Sequence, residues 1–190
     1  MVHAIEAYTS RHRKNVLSDT LALRALTLLS DNLRRVLHDG NDLAARRAML
    51  LGSMLAGMAF ANAPVAAVHA LAYPIGGHFH VPHGHSNALV LMPVLSFNLP
   101  AADALYGELA SSLRRDGRTL CAEPTGEAFV RAMDDLVGDL GLERTLREVG
   151  VCEPDLETLA VDAMKVQRLL VNNPRDVTLD DARALYRQAF

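Results

Sequence analysis

Between Met49 and Tyr73 the chain is almost continuously apolar, interrupted only by Ser53, Asn62, Pro64 and His69. A run of that length suggests a membrane span. Its polar punctuation instead divides it into two segments of core-helix length, and no membrane is expected. In the first segment Gly52, Ala56, Gly57 and Ala59 are small enough for neighbouring helices to approach closely. Pro64 suits the first residue of a new helix through Tyr73, because its missing N–H is not needed there.

The rest of the chain reads the same way. Ser18 is a good N-cap for a helix over 19–38, closed by Asp39-Gly40, and Asn41 or Asp42 caps the next. Ile75-Gly76-Gly77 reads as a helix stop that turns the chain back. Pro82 opens a further helix through HGHSNALVLMPVLSFN, and Pro100 starts a segment to about Arg115. Helices over 125–140 and 154–171, a short turn over 142–149 and a helix over 178–189 follow, two of them announced by the capping patterns EPDLE and DVTLDD. No segment alternates as a strand. Half the residues are hydrophobic but only 5% are aromatic, a composition rich in Ala and Leu that favours helices over sheets. The fold class read from this pattern is all-α, one multi-helix domain over residues 1–190.

Charge narrows the function. A net charge of −3 and a pI near 6.2 argue against a nucleic-acid surface. HAIEAYTSRHRKN, near the N-terminus, is too polar for a signal peptide. Cys121 and Cys152 fit no metal or redox spacing and read as ordinary thiols of a reducing compartment, which places the chain in the cytoplasm.

The stretch HALAYPIGGHFHVPHGHSN, residues 69–87, carries five of the eight histidines. A metal site needs neutral imidazoles converging from rigid elements. His69 sits in an apolar helix, where it is either a ligand or a core histidine bonded to a carbonyl. His83, just after Pro82, lies in a first helical turn whose dipole disfavours imidazolium and keeps the ring neutral. Fourteen residues separate the two, enough for a helix end, a turn and a helix start to bring the rings together. His80 could line a pocket and shuttle protons, while His78 and His85 face solvent. His3 is a third candidate ligand or disordered surface, and its residues alone do not choose. His12 and His38 sit among charges and read as solvated.

HAIEAY, GMAFANAPVAAVHALAYPIGG, PHGHSNALVL, FNLPAA, LGLERTLREVGV and NNPRDVTLDDA together resemble, nearly end to end and in order, the helical C-terminal half of the iron-containing (group III) alcohol dehydrogenases. The fold so implied is the C-terminal domain of those enzymes, of dehydroquinate synthase-like type. The family binds one divalent metal, usually Fe2+ and sometimes Zn2+, through one aspartate and three histidines. The resemblance places those histidines at His3, His69 and His83. It makes Phe60 a lining residue of the substrate pocket and puts Tyr73 where many members carry a histidine near the nicotinamide. Tyrosine keeps a hydroxyl there but cannot serve as an imidazole base near neutral pH.

The family's aspartate ligand, four residues before the first histidine, would fall two residues before Met1. The nucleotide-binding half is likewise expected to be absent, since no strand, glycine-rich turn and helix occur in series. The resemblance thus implies the metal- and substrate-binding portion of an enzyme that oxidises small alcohols to aldehydes or ketones. NAD(P) would be used only when the other half is supplied. Exposure of a former domain interface leads us to expect a homo-oligomer. Two alternatives stand beside this: a non-catalytic helical remnant or interaction domain without metal, and a three-histidine metal hydrolase, for which no positioned acid or base is evident.

Overall fold

A computed structural model describes all 190 residues. It contains nine helices and one two-residue β-hairpin: α1 Val2–Tyr8, α2 Val16–His38, α3 Leu43–Asn62, α4 Ala67–Phe79, α5 His83–Ser112, β1 Arg114–Arg115, β2 Arg118–Thr119, α6 Gly126–Gly138, α7 Asp155–Met164, α8 Gln167–Leu170 and α9 Leu179–Ala189. The all-α reading holds; the antiparallel hairpin is a minor addition closed by Asp116-Gly117, both at positive φ. One continuous apolar cluster runs from Ala4 in α1 to Ala189 in α9, so the chain is a single core.

Local chemistry explains the helix starts. Asn15, three residues ahead of the expected cap, closes α2 with a capping box: its Oδ1 accepts the Ser18 N–H at 3.0 Å and Ser18 Oγ faces the Asn15 N–H. Asp42 caps α3 and Thr178 caps α9, the latter in a second capping box with Asp181. The EPDLE pattern yields no such cap, because Pro154 has no side chain able to accept. Between α7 and α8 the helix expected over 154–171 breaks at Lys165-Val166.

Three further expectations are corrected. Pro64 does not open α4; it lies in an extended link, and α4 starts at Ala67. Gly76-Gly77 does not stop α4, which runs past Pro74 and both glycines until His80 adopts φ 56° and its N–H bonds the Gly76 carbonyl. Pro100 does not divide the next helix either. α5 carries Pro93 and Pro100 inside one element of 30 residues, about 45 Å long at 1.5 Å per residue. Buried side chains along its length, from Ser86 to Ser112, hold it against its neighbours despite the missing N–H groups.

The site-bearing elements are locked together by close contacts. A Cβ on Gly52 would lie 2.8 Å from the Leu29 side chain, so α2 and α3 pack as a tight antiparallel pair. Contrary to expectation, α3 is not buried all round: only Ala45, Gly52, Ala56 and Ala59 are inside, and Leu50, Met54 and Met58 face outward. Both α3 and α5 are long and apolar enough to cross a membrane by length and composition alone. Asn172 donates to the Val65 carbonyl at 3.2 Å, pinning the link that leads into α4. Tyr186 donates to the Leu71 carbonyl at 2.7 Å, and Asn98 and Asn173 bond each other reciprocally at 3.0 and 2.7 Å.

Candidate metal centre

Three helices far apart in sequence each deliver one imidazole to the same point. His3 stands in the first turn of α1, His69 near the start of α4 and His83 at the first position of α5. Their available nitrogens all lie within 4.8 Å of one another. His3 Nε2 and His69 Nε2 are 3.1 Å apart, and the His69 and His83 ring centroids are 5.2 Å apart. Nitrogens held at about 2.1 Å from a shared ion stand about 3–4 Å from each other, so the donor set fits a divalent metal.

Burial supports the same chemistry. His69 is 1% exposed, His3 is half-buried and His83 is exposed, which leaves the cluster open on one side. Burial and then the neighbouring His69 push the His3 pKa down to about 4, so the ring is neutral at physiological pH, as a ligand must be. The same two causes, in the same order, lower that of His83.

The surroundings are specific. Glu6, one turn along α1 from His3, is 4% exposed. Its Oε2 lies 2.5 Å from His69 Nδ1, and its Oε1 accepts the Val68 N–H at 2.7 Å. Asn87, one turn along α5, donates to the His83 carbonyl at 2.9 Å and sets its amide nitrogen 3.2 Å from His83 Nε2. Its Oδ1 is buried with no partner, a polar atom at the edge of the cluster that a bound group or water would satisfy. Sequence reasoning missed both Glu6 and Asn87. The available signal was spacing: each stands one helical turn after a histidine.

Phe60 and Tyr73 flank the cluster. The Phe60 ring is 4.5 Å from that of His3, and the Tyr73 ring is 6.3 Å from His69 and 6.1 Å from His83. Two hollows adjoin it. One of about 270 Å³ is lined by His3, His83, Asn87, Leu91 and Met133; a more open groove of about 690 Å³ runs from His3 past Ala56 and Leu50 to Arg47.

The other histidines point elsewhere. His80 is the exposed left-handed residue that ends α4 and is not among the converging rings. His78 bonds Asp162 at 2.7 Å. His85, expected to face solvent, is half-buried and donates to the Glu143 carbonyl at 2.8 Å.

A helical domain with three convergent imidazoles above an apolar core defines the class, and comparison with known proteins specifies it. The model of the Fe-containing alcohol dehydrogenase family, C-terminal part, matches residues 1–190. The chain is 39% identical over 190 residues to long-chain-alcohol dehydrogenase 1 of Geobacillus thermodenitrificans, covering 100% of this chain and 48% of that protein. It is 36% identical to 1,3-propanediol dehydrogenase of Klebsiella pneumoniae, covering 100% of this chain and 49% of that one. A solved 1,3-propanediol oxidoreductase superposes with a TM-score of 0.91 at 36% identity, covering 100% of this chain and 49% of that structure. An alcohol dehydrogenase from Oenococcus oeni superposes at 0.89 and 32% identity, with coverages of 100% and 49%. The chain belongs to the iron-containing alcohol dehydrogenase family and corresponds to its helical C-terminal domain. It spans about half the length of the curated relatives it matches.

Proposed function

We propose that this domain holds a divalent metal, Fe2+ or alternatively Zn2+, at His3, His69 and His83, and forms one wall of the cleft in which an alcohol is oxidised to an aldehyde or ketone with NAD(P). The observation that carries the reading is the convergence of the three imidazoles from α1, α4 and α5. Bound there, the ion would supply Lewis-acid polarisation of the alcohol or carbonyl oxygen. The protein's own part is positional. The three rings would fix the ion, with a carboxylate or water completing its coordination. Phe60, next to His3, and Tyr73, next to His69 and His83, would narrow the approach and exclude water from the reacting carbon. The Tyr73 hydroxyl offers a hydrogen bond there.

Among the 190 residues no βαβ unit or glycine-rich phosphate loop occurs, and the only sheet is the two-residue hairpin. In this reading the dinucleotide is held by a separate nucleotide-binding half, and the work is done in the cytoplasm. Names among the relatives range from long-chain alcohols to 1,3-propanediol, so a primary alcohol or its aldehyde is the substrate class we assign. The test is equilibrium dialysis against Fe2+ under anaerobic conditions, and against Zn2+, followed by elemental analysis. One ion per chain, lost in His69→Ala, is expected; a chain that takes up no ion would favour the metal-free helical remnant.

A further inference from the structure

We propose that Glu6 is the positioning residue of this centre, fixing His69 in the one ring tautomer that presents an Nε2 lone pair to the metal. The inference rests on the metal-binding reading above. Glu6 shares the inner face of α1 with His3, three residues apart. A carboxylate this deeply buried is costly unless both oxygens are satisfied. Both are, by two partners adjacent in sequence: the Val68 N–H on Oε1 and His69 Nδ1 on Oε2. No lysine or arginine pairs with it.

The first contact explains how α4 begins without a cap of its own. Its N-cap, Ala66, has no side-chain acceptor, and Val68 bears one of the N–H groups that lack an intrahelical partner. Glu6 supplies the acceptor from another helix. The second contact uses the other oxygen. As a carboxylate Glu6 has no proton to give, so Oε2 accepts, and a neutral His69 ring then carries its proton on Nδ1 and its lone pair on Nε2. Nε2 is the atom 3.1 Å from His3 Nε2, inside the cluster.

This makes Glu6→Gln more informative than a truncation. A glutamine whose Oε1 keeps the Val68 N–H must turn its amide NH2 toward His69 Nδ1. An amide donor there calls for a lone pair on Nδ1 and drives the proton to Nε2, the wrong tautomer for ligation. The helix cap is retained while the ring is reversed.

The test compares the wild-type chain, Glu6→Gln and Tyr186→Phe. The last removes a different buried hydrogen bond to α4, the one on the Leu71 carbonyl. Zn2+ affinity is measured by calorimetric titration, the His69 tautomer by long-range 1H–15N NMR of the metal-free chain, and the Co2+ complexes by their visible spectra. Wild type should show a protonated Nδ1. Glu6→Gln should show a protonated Nε2, bind Zn2+ about 10–100-fold more weakly and lose the wild-type Co2+ spectrum. Tyr186→Phe should keep the wild-type tautomer and spectrum. A glutamine variant that keeps the wild-type tautomer and affinity, while wild type binds Zn2+, would overturn the role of Glu6 alone. Weakened affinity with an unchanged tautomer would overturn the tautomer mechanism. A wild-type chain that binds no Zn2+ would overturn the metal reading and this inference with it.

Discussion

What separates the histidines from one another is what their nitrogens face. His69 and His83 each direct nitrogen toward two other imidazoles, whereas His78 is engaged by Asp162 and His85 by the Glu143 carbonyl. His69→Ala and His83→Ala are each expected to abolish tight metal binding in calorimetric titration. His78→Ala and His85→Ala are expected to leave it within roughly twofold, as substitutions without shared partners do. Equal losses across the four would mean that imidazole density, and not the placement of these rings, sets affinity. The pairing of His69 with His83 was legible from spacing and from Pro82. His3 was not, since a lone histidine near an N-terminus has no spacing to read, and only the family resemblance selected it. Glu6 escaped notice because an acid in HAIEAY looks like an ordinary solvated residue until α1 is seen to be buried.

Helix boundaries were legible where a cap decides them and illegible where packing does. Asp42 and Thr178 act as their local patterns predict. Pro100 and Gly76-Gly77 do not break their helices, because the buried faces of α5 and α4 override local preference. Glycines make this testable. A Cβ on Gly107 of α5 would lie 2.8 Å from the Pro124 carbonyl ahead of α6, while one on Gly57 of α3 meets nothing within 4 Å. Gly107→Ala is therefore expected to lose about 1–3 kcal/mol in urea denaturation. Gly57→Ala is expected to gain up to about 1 kcal/mol. Capping also gives α3 a pH signature. The Ala45 N–H, and then the Arg35 guanidinium, hold the Asp42 carboxyl below its ordinary value of 3.8. Its contribution is thus fully present above that value and is lost as pH falls through the lowered one. In thermal melts across acid pH, Asp42→Asn, which can still cap but does not titrate, should show a shallower decline than wild type.

At the scale of the whole molecule, the outward side of α3 is an exposed apolar surface. Leu50 is 74% exposed, with Met54 and Met58 exposed along the same helix, and we propose that a second copy covers this patch. Sedimentation should show concentration-dependent self-association that Leu50→Glu with Met54→Glu reverses; a monomer at every concentration would refute it. The imidazoles carry a different consequence. Because residues 3, 69 and 83 meet only when α1, α4 and α5 are assembled, an unfolded chain has no such site, and the energy of the proposed ligation would be folding energy. By mass action, free metal at a hundred times its dissociation constant should stabilise the fold by about 2.7 kcal/mol. The melting temperature then becomes a gauge of the ion's chemical potential, rising with the logarithm of its free concentration and staying flat in His83→Ala. Under the proposed metal reading, such a protein would report on the supply of the ion by how readily it comes apart.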